Sequence, residues 1–143
     1  MLKENENMKL DQVMTEKLID GATKMLEKAY VPYSHFPVGA SLLTSDGEIY
    51  NGCNIENASF GLSNCAERTA IFKAVSEGKK QFDYLVVTGG TEDPISPCGA
   101  CRQVMVEFFE PDMPVLLTNT KGDKFETTVK ELLPGAFRSE DMN

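Results

Sequence analysis

Cys98 and Cys101 stand three residues apart in the run Pro97-Cys98-Gly99-Ala100-Cys101, and Cys65 opens an upstream run, Cys65-Ala66-Glu67. Residues three apart on a helix share a face. The thiolates of Cys98 and Cys101 can therefore reach one ion at the usual zinc–sulfur distance of about 2.3 Å. Alone, that C-x-x-C pair admits three readings: a redox couple, part of a zinc site, or two thiols in a core. Cys65 shifts the balance toward a metal. Three sulfur ligands leave a tetrahedral ion one corner for water, which is the catalytic rather than the structural arrangement. Glu67, two residues beyond Cys65, is spaced to face that corner without ligating, and a carboxylate there can accept a proton from water and pass it on. Without the cysteines, Glu67 would read as an ordinary first-turn acid favoured by the helix dipole. The fourth cysteine, Cys53, and the single histidine, His35, share no helix turn with another ligand. Cys53 is expected to be a small buried thiol, and neither residue is expected to bind the metal.

The chain as a whole limits what that chemistry can act on. Its 143 residues suit one domain, and 41% apolar and 25% charged residues fit a soluble globular protein. Fourteen Lys and Arg against 22 Asp and Glu give a net charge of −8. An acidic chain without a basic groove is poorly suited to a polynucleotide, so nucleic acid is not an expected partner. No apolar run approaches the roughly 20 residues of a membrane span. The opening stretch MLKENENMKLDQ alternates charges and amides, unlike a secretory leader, so the cytoplasm is the expected compartment. In that reducing setting the cysteines are expected as ligands, catalytic groups or buried thiols rather than disulfides.

The elements that must position these residues follow from periodicity. Residues 1–8 are expected as a frayed tail before a single domain over 9–143. Leu10, Val13, Met14, Leu18, Ile19, Ala22, Met25, Leu26 and Ala29 recur at helical spacing over about Lys9–Ala29. Pro32 and Pro37 force an extended loop. Val38–Thr44 and Glu48–Cys53 read as a hairpin around Ser45-Asp46-Gly47. Ser63 or Asn64 can cap a helix over Cys65–Ser76 that Gly78 ends. Phe82–Thr88 reads as a buried strand, Cys98–Phe109 as a helix stopped before Pro111, and Val115–Asn119 and Phe125–Thr127 as short strands. Thr128–Leu132 closes the order as a short helix. A hairpin followed by strand–helix alternation predicts a three-layer α/β/α fold around a mixed five-stranded sheet, with the metal site at two helix amino termini.

These motifs resemble a known family. H-x-E…P-C-x-x-C is the established signature of the zinc nucleobase deaminases, for which a three-cysteine variant is also known. Here it stands as Cys65-Ala66-Glu67 and Pro97-Cys98-Gly99-Ala100-Cys101. Tyr33-Ser34-His35-Phe36-Pro37-Val38-Gly39-Ala40, Asn54-Ile55-Glu56-Asn57, Cys65-Ala66-Glu67-Arg68-Thr69-Ala70 and Leu133-Pro134-Gly135-Ala136-Phe137 narrow the resemblance to the small homotetrameric cytidine deaminases, over about residues 15–137. The resemblance implies one Zn²⁺ per subunit on Cys65, Cys98 and Cys101, with Glu67 as the catalytic proton carrier. It implies hydrolytic deamination of cytidine and 2′-deoxycytidine to uridine and 2′-deoxyuridine with release of ammonia, in pyrimidine salvage.

The resemblance also implies roles around the ion. Three thiolates leave zinc with a net charge of −1, and helix amino termini together with Arg68, donating to ligand sulfurs, would offset it. Otherwise Arg68 would be a surface salt bridge. Asn54 and Glu56, on the same side of an extended loop, would bind the sugar hydroxyls, with Asn57 and Phe60 on the same pocket-lining loop. Without the resemblance, Asn54 and Asn57 equally suit a turn. Phe36 would stack on the base, while the Ala66 N–H and a carbonyl near Ser96 would read its edge. Phe137 would enter the site of a neighbouring subunit of a homotetramer. One departure is Phe60, where many members carry tyrosine, which removes a possible hydrogen bond. Competing readings are a deaminase for another aminopyrimidine, such as a blasticidin-like antibiotic, a free base or a polynucleotide; a non-catalytic zinc module; and a thiol oxidoreductase using Cys98 and Cys101.

Overall fold

The computed structural model describes residues 2–142, with side chains from Gln12 onward. Strand β1 (Val38–Thr44) turns back through Gly47, at a φ of +89° that favours glycine, into antiparallel β2 (Ile49–Cys53). On its other side β1 pairs antiparallel with β3 (Phe82–Gly89). Strand β3 runs parallel to β4 (Pro114–Thr118), which pairs antiparallel with β5 (Lys124–Thr128). The sheet is therefore mixed and five-stranded, in the order β2-β1-β3-β4-β5. The parallel pair needs a crossover, and α3 (Gly99–Phe108) supplies it.

Alternation along the strands decides the layers. Leu85 and Val87 of β3 face a core with Ala70, Ile71 and Ala74 of α2 (Ala66–Ser76) and Met105 of α3. Val86, between them, faces the opposite way and packs with Leu116 against Leu18 and Ala22 of α1 (Leu2–Met25). Helices thus cover both faces, as the element order predicts. The short α4 (Val129–Leu132) follows β5.

Helix α1 carries back to Leu2, through residues expected as a loose tail, and ends at Met25 in a short 3₁₀ turn, Leu26–Lys28. Met1, part of that expected tail, lies outside the described residues. Helices α2 and α3 each start one residue later than expected, because Cys65 and Cys98 occupy the cap position in extended conformation. Neither Ser63 nor Asn64 caps α2. Ser63 Oγ accepts from the Asn57 N–H, and Asn64 Nδ2 donates to Thr69 Oγ1. No helix among the described residues is long and apolar enough to cross a membrane.

Two glycines allow the helices to sit where the site needs them. A Cβ on Gly39 would lie 1.9 Å from the Ala22 carbonyl oxygen of α1. On the other face, a Cβ on Gly52 would lie 2.5 Å from the Ala66 carbonyl oxygen and 2.6 Å from the Ala70 nitrogen. Only glycine there lets the first turn of α2 rest directly on β2. The register then gathers the site. Val38 opposes Gly89 and Gly39 opposes Cys53, so the start of β1 and the ends of β2 and β3 share one edge. The loops leaving β2 and β3 at that edge lead into α2 and α3, bringing both helix amino termini together.

Candidate active site

The three sulfurs meet between those helix starts. A tetrahedral site with bonds of about 2.3 Å places its sulfurs about 3.8 Å apart. Cys98 Sγ lies 3.6 Å from Cys65 Sγ and 3.3 Å from Cys101 Sγ, and all three fall within 4.8 Å of one another. Spacing and donor set both suit zinc, and this is the one group of potential ligands with metal-site geometry among the described residues. Cys53 is buried in β2 outside the group, and His35 is likewise not part of it.

N–H donors reach two of the three sulfurs. The Cys101 N–H at the start of α3 donates to Cys98 Sγ at 3.4 Å. Arg68 Nη2 donates to Cys65 Sγ, also at 3.4 Å, and to the Ser63 carbonyl. Hydrogen bonds from the Cys101 thiol and from Arg68 hold the Cys65 thiol down at about 5, against the cost of burial. The same thiolate, with burial, pushes the Cys101 thiol up. A bound cation removes that competition by charging all three sulfurs. Arg68 thus bonds the Cys65 sulfur, and it forms no ion pair among the described residues.

Glu67 sits in the first turn of α2, next but one to Cys65, and is only 4% exposed. Burial pushes its carboxyl up to about 7, the charge of Cys65 pushes the same way, and its own backbone N–H, Cys101 and Arg68 oppose this. A carboxyl group in such a setting can both accept and return a proton near neutrality.

Glu67, Cys65 and Cys98 line a cavity of about 360 Å³ with Phe36, Val38, Asn54, Ala66, Thr91, Ile95 and Ser96. The expected residues Phe36, Asn54 and Ala66 are thus brought together, as is Ser96. Asn54 also pins the cavity rim: its Oδ1 accepts from the Val38 N–H and its Nδ2 donates to the Phe36 carbonyl, each at 2.9 Å. Glu56, two residues further along the loop, holds the Tyr33-Ser34 turn. Its carboxylate accepts from the Tyr33 and Ser34 N–H groups and, at 2.5 Å, from the Ser34 hydroxyl. Those bonds keep the Glu56 carboxyl below the usual carboxylate range, Ser34 foremost.

Four expected substrate contacts, Glu56, Asn57, Phe60 and Phe137, are not among the residues lining this cavity. Asn57 Oδ1 accepts from the Ser59 N–H and shapes a turn. Phe60, in a 3₁₀ turn over Phe60–Leu62, is 92% exposed, and Phe137 is 59% exposed. Conversely, Val38, Thr91 and Ile95 were not expected in the cavity. The available signal was positional: ligand sites of open α/β sheets gather beyond strand carboxyl ends, where Thr91 and Ile95 follow β3.

Comparison with known proteins places this geometry in context. The family model for the cytidine and deoxycytidylate deaminase zinc-binding region matches residues 13–117. A cytidine deaminase of Sporosarcina psychrophila is 62% identical over 128 residues, 90% of this chain and 94% of that protein. One from Halalkalibacterium halodurans is 57% identical over 128 residues, covering 90% of this chain and 97% of its own. The crystal structure of a cytidine deaminase from Burkholderia pseudomallei superposes with a TM-score of 0.83 at 53% identity, over 85% of this chain and 98% of the other.

Proposed function

The chain belongs to the cytidine and deoxycytidylate deaminase family, and we infer from that premise that it is a zinc-dependent enzyme that hydrolyses cytidine and 2′-deoxycytidine to uridine and 2′-deoxyuridine with release of ammonia. The observation that carries the reading is a buried carboxyl, Glu67, in the wall of a cavity against three converging cysteine sulfurs. Cys65, Cys98 and Cys101 would hold one zinc ion per chain. When bound, zinc supplies a Lewis acid that makes water nucleophilic near neutral pH.

Within this reading the chain's own groups divide the work. Glu67 takes one proton from the attacking water and delivers it to N3 of the pyrimidine, then takes the remaining proton from the new C4 hydroxyl and delivers it to the amine as the C4–N bond breaks and the C4 carbonyl forms. Arg68 favours the charged form of the Cys65 sulfur. Phe36 presents a ring to the base, and the Ala66 N–H and the carbonyls near Ser96 face its polar edge. Asn54 and Glu56 direct polar groups toward the sugar while shaping the loop that carries Phe36. The apolar wall of Val38 and Ile95 excludes water other than the reactant.

The exposed rings of Phe60 and Phe137 suit burial against other copies of the chain. A homotetramer in which Phe137 of one subunit completes a neighbour's pocket accounts for both. Free thiols at a metal site favour a reducing compartment, the cytoplasm, where the reaction would serve pyrimidine salvage. Turnover assays with ammonia detection test the substrate assignment directly. Cytidine and 2′-deoxycytidine are expected to be deaminated, with cytosine, a blasticidin-like aminonucleoside and single-stranded DNA far behind. Preferential turnover of the antibiotic would reassign the substrate, and no ammonia from any of them would leave a zinc-binding module.

A further inference from the structure

Arg102 lies one residue beyond Cys101, yet its side chain lines no part of the cavity that holds Glu67. Its guanidinium runs behind the cavity wall and binds three acceptors on two separate segments. Nε donates to the Pro97 carbonyl at 2.9 Å, and Nη2 donates to Ser96 Oγ at 2.6 Å. Nη1 donates to the Leu132 carbonyl at 2.7 Å. The Arg102 backbone N–H also closes the first turn of α3 on the Cys98 carbonyl, at 3.1 Å. Pro97 and Leu132 are buried, and Leu132 ends α4, where a carbonyl has no partner within its own helix. One rigid planar fork therefore satisfies two buried carbonyls from segments 35 residues apart (132 − 97) and ties them together.

Each side of that tie bears on the chemistry. Ser96 lines the cavity, and Pro97 immediately precedes Cys98. A turn free to shift would move a cavity wall and a sulfur together, and misplacement by about 1 Å is costly in an oriented site. We propose that Arg102 is a positioning residue for the reaction: it fixes the Ser96-Pro97-Cys98 turn against the end of α4, and so sets the place of one sulfur ligand and of the cavity wall beside it. The proposal rests on the reading of Cys98 as a zinc ligand. Charge is not what the position requires. A lysine would keep the charge but offers a single nitrogen where three acceptors need a planar array.

Arg102→Lys, loaded with zinc, is compared with the wild type in three measurements: zinc release to a chromophoric chelator, the visible spectrum of the cobalt-substituted protein, and kcat and KM for cytidine. The expected results are zinc release faster by about tenfold or more, an altered shape of the cobalt bands, and a kcat lowered along with a raised KM. A variant that is less heat-stable but matches the wild type in metal release, spectrum and both kinetic constants would overturn the proposal, since Arg102 would then be merely structural. Should Arg102→Lys fail to fold, Ser96→Ala removes one of the three acceptors from an exposed side chain. Faster zinc release from that variant supports the proposal, and release at the wild-type rate overturns it. Wild-type protein that binds no zinc through its cysteines would instead overturn the underlying reading, and the proposal with it.

Discussion

Glu67→Gln is expected to lower kcat for cytidine by about a thousandfold or more, within the range that a lost general acid and base explains. The amide keeps the size and the buried position of the carboxyl but cannot take a proton from water or return one to the base. It also removes a group whose ionisation burial opposes, so the variant should fold and melt at least as well as the wild type. Zinc content should be unchanged, because Glu67 lies outside the sulfur triad. Ultraviolet monitoring of cytidine, with metal analysis of the same sample, checks all three points. A variant that keeps a tenth of the activity or more would remove Glu67 from the proton path.

Removing one sulfur should be as damaging by a different route. Cys98→Ala deletes the sulfur that both others flank, 3.6 and 3.3 Å away. Two thiolates hold zinc far less tightly than three, so the variant should be isolated largely metal-free and inactive. Chelation of the wild type should give the same loss, reversed by added zinc. Neither should unfold the chain, since apolar packing of Leu85, Val87, Ile71 and Met105 holds the sheet core. Metal at about a thousand times its dissociation constant adds roughly 4 kcal/mol. Its loss should therefore lower Tm by on the order of 10 °C for a chain of this size. Full activity of a metal-free sample would contradict the prediction.

How far the sequence reaches depends on the range of the interaction. Strand β1 ends where the β-branched and apolar run ends, at Val38 and Thr44, because alternation and a glycine turn are local signals. The cysteine triad was legible because C-x-x-C is also local, and only Cys65 had to be brought from afar. Helices α2 and α3 start one residue late because Cys65 and Cys98 occupy their cap positions, in α2 instead of Ser63 or Asn64, which cap preference suggests. The two-residue spacing of Asn54 and Glu56 does not announce their partners: Asn54 binds Val38 and Phe36 beside the cavity, while Glu56 binds Tyr33 and Ser34 away from its lining, and both sets of bonds need the folded chain to be seen. Arg102 carried no signal at all. Its partner Leu132 is 30 residues away, and nothing in the spacing of the two announces a hydrogen bond.

X-ray absorption at the zinc edge of the purified wild-type protein probes the centre of this account. The expected spectrum has three sulfurs at about 2.3 Å and one lighter oxygen or nitrogen neighbour, at one zinc per chain, with a substrate-like inhibitor perturbing only the light-atom shell. A four-sulfur shell, or zinc absent from protein that deaminates cytidine at full rate, would contradict it.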